Sequence, residues 1–251
     1  MPGARISPCL LRSGAHGDPP DSGVRKQFRI TKTSGLMTML DDGWILDCAT
    51  GAAPDAVRVL AACQGAMAPR AAQRLAGVEA AFGAMLEREP GVALAPGALT
   101  RALDRLDDDA VAPVAHDPRP GLLPSPLARA LEVQGDRRWR RRLGGYSEIV
   151  VESLCAPGVD ARLISIPPGK GAPEHDHSGE ELTLVLTGSF HDGRGAFARG
   201  DVCRVEPGDV HQPRVDSAQT CVCFVVELGQ VRLTNKVYAG IDRISRLTRR
   251  F

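Results

Sequence analysis

Three metal-binding side chains fall within seven residues of the stretch GKGAPEHDHSGEELTLVLTG, which runs from Gly169 to Gly188. His175 and His177 are spaced i, i+2. On an extended strand both imidazoles project from one face and can converge on one point. Glu181 follows at the end of the tight connection HSGE, where the next strand begins. His211 comes 30 residues later, in EPGDVHQ, at a turn feeding another strand. Three neutral imidazoles and a carboxylate form a borderline donor set that suits Zn, Fe, Mn, Ni or Cu. Such a centre supports catalysis when a coordination position stays open, and structure or sensing when it is closed.

Neighbouring polar residues divide by strand alternation. Glu180 points to the face opposite Glu181 and is expected in solvent. His191, in SFHDGRG, lies in a tight connection and is expected to be exposed. Neither belongs to the donor set. Cys221 and Cys223, in QTCVCFVV, share a face and can point toward the metal. Two roles stay open for them, oxidation in response to peroxide or service as small hydrophobes that fill an interior.

The elements that must position these residues follow Gly135. Short β-rich runs (EIVVESL, ARLISI, LTLVLTG, DVCRVEP, TCVCFVVEL) alternate with Gly, Pro and Asp, the rhythm of an all-β sandwich or barrel. Its interior reads as aliphatic with thiols, and nothing supplies an evident substrate clamp. RRWRRRL, Arg137 to Leu143, reads as the solvated face of an entering strand rather than a nucleic-acid contact, because only Trp139 is interleaved with the arginines.

Residues 37–108 are different in character. Ala71, Leu75, Val78, Phe82 and Met85 form one helical stripe that Pro69 can open. Pro54 followed by Val57, Leu60 and Ala61 predicts another helix, and WILDCATG a short one ended by Gly51. Leu99, Leu103 and Leu106 mark a further amphipathic piece. Residues 109–134 concentrate proline and charge and read as a linker, with LARAL as the only helical candidate and His116 solvated. Residues 1–36 lack a sustained apolar segment and read as a flexible arm or a start assigned too early. Residues 236–251 form a basic tail.

Composition excludes several classes. Of 251 residues, 43% are hydrophobic, enough for a packed core. Lys+Arg 31 against Asp+Glu 30 gives a net charge of +1, no field for direct nucleic-acid or membrane binding. No apolar run approaches the roughly 20 residues of a membrane span. Seven cysteines at irregular spacing do not form a disulfide framework, so the expected compartment is the reducing cytoplasm.

The motif as a whole resembles the cupin family: glycine, His-x-His, glutamate and glycine stand here as Gly169, His175, His177, Glu181 and Gly188. The second cupin motif runs from Gly200 to His211 with Gly208 in place. It departs from the pattern in Pro207, displaced by one, and in Val215, where the family has asparagine. The stretch between the motifs, Ser189 to Arg199, is short for the family. The resemblance implies a jelly-roll barrel at residues 135–235 binding one divalent ion through His175, His177, Glu181 and His211.

With the helices in front, the chain resembles the ChrR family of zinc-binding anti-sigma factors, most strongly from Trp139 to Phe251 and more weakly over Asp42 to Glu87. The implied fold is α+β, a small helical bundle followed by a cupin. The implied function is transcription regulation: the helices hold an extracytoplasmic-function sigma factor, and the cupin, with zinc as the preferred ion, responds to singlet oxygen or organic peroxide. The family's second zinc motif falls on Met39, Cys63, Met67 and Arg70, which cannot hold zinc. The helical part is therefore expected to lack metal, with its partner-binding residues unassigned. A metal cupin enzyme, such as a dioxygenase for a small diketone or phenol, and a ligand-sensing cupin are the competing classes. The fold also admits a homodimer.

Overall fold

The computed structural model describes residues 38–108, 123–134, 138–142 and 144–234. The N-terminal arm, most of the linker with His116, and the basic tail lie outside the described residues. Five helices precede ten strands. The helices are α1 (Asp42–Thr50), α2 (Asp55–Met67), α3 (Pro69–Leu86), α4 (Ala98–Asp108) and α5 (Ser125–Glu132).

Local chemistry sets the helix ends. The Asp41 carboxylate accepts from the Trp44 amide at 3.0 Å, capping α1, and Gly51 closes it in the left-handed conformation at φ 78°. Pro69 opens α3, where its missing N–H costs nothing. α5 lies at the end of the segment that composition reads as linker. Its Leu127 and Leu131 are buried, so the proline-rich connection stops short of it.

The strands are β1 (Arg140–Arg141), β2 (Ser147–Val150), β3 (Val159–Ile166), β4 (His175–His177), β5 (Glu180–Thr187), β6 (Ser189–His191), β7 (Ala196–Ala198), β8 (Val202–Val205), β9 (Cys221–Leu228) and β10 (Val231–Leu233). Six form an antiparallel sheet in the order β1-β2-β3-β9-β5-β8, and β10-β4 and β6-β7 add two short ladders. The architecture is a helical N-terminal part followed by a cupin-like β half, as expected.

Both faces of the large sheet are apolar. One carries Val185, Cys203, Val205, Cys221, Cys223 and Val225, which line the interior with Ile166, Phe190 and Val215. The other carries Leu163, Leu182, Leu184, Val202, Phe224 and Val226, which share one continuous core with Ile45, Val57, Leu60 and Leu127 from the helices. The helical half therefore does not close on itself. It uses the sheet as its floor, and each fully buried Leu or Phe there contributes about 1.5–3 kcal/mol.

Polar contacts fix this docking. Gln64, buried on α2, donates to the Thr38 and Gly200 carbonyls at 3.0 and 2.9 Å and accepts from the Leu40 amide at 3.1 Å. The Thr38 amide donates to Asp201 at 2.6 Å, and Val202 donates to the Thr38 carbonyl at 2.8 Å.

Among the described residues, α3 packs on α1 and α2 but its C-terminal end and α4 leave apolar side chains exposed. Along the α3 stripe Ala71 is buried, Leu75, Val78 and Phe82 are half-buried, and Met85 is 61% exposed. On α4, Leu99 and Leu103 are 67% and 53% exposed. The bundle expected from periodicity is thus closed over α1, α2 and α5 but left open along α4 and the end of α3.

Candidate metal centre

Two segments build the site. Strand alternation places His175 and His177 of β4 on one face, both buried. A reciprocal backbone pair brings His211 opposite: the His175 amide donates to the His211 carbonyl at 3.1 Å, and the reverse bond is 2.9 Å. The Gly208 amide donates to the His177 carbonyl at 2.9 Å, so the turn of the second motif is tied to the first. Glu181 enters at the start of β5, after a turn whose Gly179 presses against β9. A Cβ on Gly179 would lie 1.4 Å from the Leu228 carbonyl oxygen. At the far end of β5, Gly188 turns at φ 68°, where a Cβ would meet the Thr220 carbonyl at 2.7 Å.

The donor atoms converge. His177 Nε2 is 3.0 Å from His211 Nε2, which is 2.9 Å from His175 Nε2, and Glu181 Oε2 is 3.3 Å from His177 Nε2. One ligand atom from each residue lies within 4.8 Å of all the others. This is the only such group of His, Cys, Asp and Glu among the described residues. All four residues are buried, between 2% and 7% exposed.

These groups fit a metal ion. His175 Nδ1 is 2.7 Å from the Pro173 carbonyl, so it carries the proton and Nε2 presents a lone pair to the centre. A tetrahedral zinc with bonds of about 2.0–2.1 Å spaces its donors by about 3.3 Å, close to what the four side chains present. Electrostatics agrees. Burial pushes the His177 pKa down to about 4 and lowers that of His175, keeping both imidazoles neutral and able to coordinate. Burial alone would raise Glu181, but the three imidazoles and the Thr183 hydroxyl, which donates to it at 2.9 Å, hold its carboxyl below the ordinary value.

The structure revises several expectations. Glu180 is only partly exposed. It does lie on the opposite face of β5, but helices cover that face, so it accepts from the Trp44 indole at 2.9 Å and from Arg204 Nε at 3.1 Å. His191 stays out of the metal group and is partly exposed, 2.6 Å from Asp216. Arg138, Trp139, Arg140 and Arg141 are exposed at the sheet edge. Val215, which replaces the motif asparagine, is fully buried and its amide donates to the Lys170 carbonyl at 3.0 Å.

The interior is also less aliphatic than expected. Arg162 lies 3.6 Å from Glu227, the cross-strand neighbour of Glu181, and Arg142 pairs with buried Glu148. Burial pushes Glu227 up to about 7. Cys221 and Cys223 do face inward, with sulfurs 3.6 Å apart. The bond to Cys221 and burial push the Cys223 thiol well above its usual range, which disfavours the reactive thiolate in this conformation.

Three residues near the centre went unnoticed in the sequence. Thr183 was legible, being two residues beyond Glu181 on the same strand face. Asp192 and Cys203 carry no such signal, because a hairpin and a different strand bring them in.

Cys63 is fully buried in the core and burial pushes its thiol up to about 12, while Arg70 is exposed.

A helical layer docked on a cupin barrel with a buried histidine–carboxylate group defines the class. Residues 130–232 match the family described as the ChrR Cupin-like domain. The chain is 30% identical over 203 residues to the anti-sigma-E factor ChrR of Cereibacter sphaeroides, covering 78% of this chain and 92% of that protein. The crystal structure of Rhodobacter sphaeroides SigE in complex with the anti-sigma ChrR superposes with a TM-score of 0.63 at 28% identity, over 76% of this chain and 98% of that one. The chain belongs to the ChrR family of anti-sigma factors. Among the described residues, no helix is long and apolar enough to cross a membrane.

Proposed function

We propose that the protein is an anti-sigma factor that sequesters an extracytoplasmic-function sigma factor through its helices, with a divalent ion in the cupin, zinc by preference, controlling release. The observation that carries the reading is the apolar surface that the outer helices leave exposed among the described residues, Met85 and Leu86 on α3 and Leu99 and Leu103 on α4, exposed by 53–72%. Apolar side chains left exposed on two successive helices are the kind of surface that a protein partner covers. The relative named above is itself found in complex with a sigma factor, SigE.

When bound, the ion would link β4, β5 and the His211 turn by bonds to four side chains. The chain's own residues then supply a path to the helices. Glu181 faces the centre and its neighbour Glu180 holds Trp44 on α1, so a shift of β5 reaches the helical layer directly. Oxidation within the barrel by singlet oxygen or an organic peroxide, at Cys221 and Cys223 or at the imidazoles, would favour a conformation that binds sigma poorly, a shift of population. The metal-enzyme reading would require a coordination position open to substrate beyond these four donors.

Co-expression with an extracytoplasmic-function sigma factor from the same genome tests the reading. The two proteins are expected to elute as one complex, and Leu99→Asp with Leu103→Asp to abolish it without unfolding the barrel. A chain that binds no such sigma factor would end the proposal.

A further inference from the structure

His211 joins the donor group through Nε2, which leaves its Nδ1 buried and without a hydrogen-bond partner. An imidazole that coordinates through one nitrogen carries its proton on the other, and that N–H ordinarily donates to a carboxylate, a carbonyl or water. His175 already satisfies this need through the Pro173 carbonyl, at 2.7 Å.

Facing His211 is Asp192, whose Oδ2 lies 3.8 Å from Nδ1, with the two side chains 1% and 0% exposed. That separation exceeds a hydrogen bond, and a displacement of about 1 Å would close it. Asp192 is held firmly. Its Oδ1 accepts from the Arg194 and Gly195 amides at 3.0 and 3.1 Å, and its Oδ2 from Arg194 Nε at 2.9 Å. The Cys203 thiol stands 3.7 Å from the same oxygen. A carboxylate oxygen whose direction Arg194 fixes thus faces a buried nitrogen that lacks a partner.

We infer that Asp192 is the positioning residue for His211, accepting a hydrogen bond from its Nδ1–H when an ion occupies the centre and so fixing the tautomer and ring orientation. The hairpin of β6 and β7 exists in part to deliver this carboxylate, with Arg194 fixing its direction. The inference rests on the metal-centre reading above.

The test uses full-length protein, wild type and Asp192→Asn, with Asp192→Ala as a second variant. Asparagine keeps an oxygen for the Arg194 and Gly195 amides but removes the anion that faces His211. Zinc content of the wild type is measured first, then zinc affinity by competition with a chromophoric chelator. Asp192→Asn is expected to bind zinc about 10–100-fold more weakly. The His211 Nδ1–H signal in nitrogen-edited proton NMR of the zinc-loaded wild type is expected to shift or exchange away in the variant. Wild-type affinity with an unmoved His211 signal overturns the assignment; if Asp192→Ala fails to fold, the asparagine variant decides. A wild-type chain that takes up no zinc overturns the metal-centre reading itself, and this assignment with it.

Discussion

The two faces of β5 and β9 do different work with alternate residues of the same strands. Toward the barrel stand Glu181, Thr183, Cys221 and Cys223; toward the helices stand Leu182, Leu184, Phe224 and Val226. The inner face carries polar groups that converge on one centre, and the outer face carries mostly apolar bulk, with Glu180 tied to Trp44 and Arg204 at its edge. Under the proposed function, a change at the centre and the surface that binds sigma would be joined through a single strand, one residue apart.

The largest effect should come from the outer face. Phe224→Ala removes a fully buried ring between the sheet and the helices. It should lower unfolding free energy by about 3–5 kcal/mol, measured by denaturant titration. Protein that still folds should keep its metal, because the donors lie on the other face. Metal lost in step with Phe224 truncation would show that the faces are not separable.

Leu60→Ala, on the helix side of the same core, is expected to cost about 2–5 kcal/mol and to leave metal content unchanged. Trp44→Phe is gentler. It removes the indole donor to Glu180 while keeping most of the ring, so stability should fall by about 1 kcal/mol. Its value is as a probe of coupling: release of sigma by oxidant should weaken in this variant while metal affinity holds. Unchanged release would remove Trp44 from the path.

A further effect is a dependence on pH. The His177 pKa is about 4 in the folded chain against 6.5 for the free side chain, so the unfolded state takes up the proton first. Stability of the metal-free protein should then fall as pH drops from about 6.5 toward 4, and His177→Gln should flatten that slope. Burial keeps these imidazoles neutral to lower pH than exposed ones, so the protein should hold its ion further into acid than an exposed cluster would, read by metal content after dialysis across a pH series.

Much of the site was readable in the sequence because its information is local. His175, His177 and Glu181 lie within seven residues, and strand alternation decides which way each points. The sidedness of Glu180 was readable too, but not what covers that side. A signal for the cover was present in CVCFVVEL. A sheet with one wet face alternates in polarity, and seven buried residues in succession mark a strand covered on both. Asp192 opposite His211 depends on a hairpin packing against a distant turn, which no local pattern encodes.

The central claim is one ion gripped by His175, His177, Glu181 and His211. Elemental analysis of purified full-length protein tests it most directly, alongside His177→Ala. About one equivalent of a divalent metal per chain in the wild type and none in the variant is the predicted result. No metal in the wild type, two equivalents, or an unchanged content in His177→Ala would contradict it.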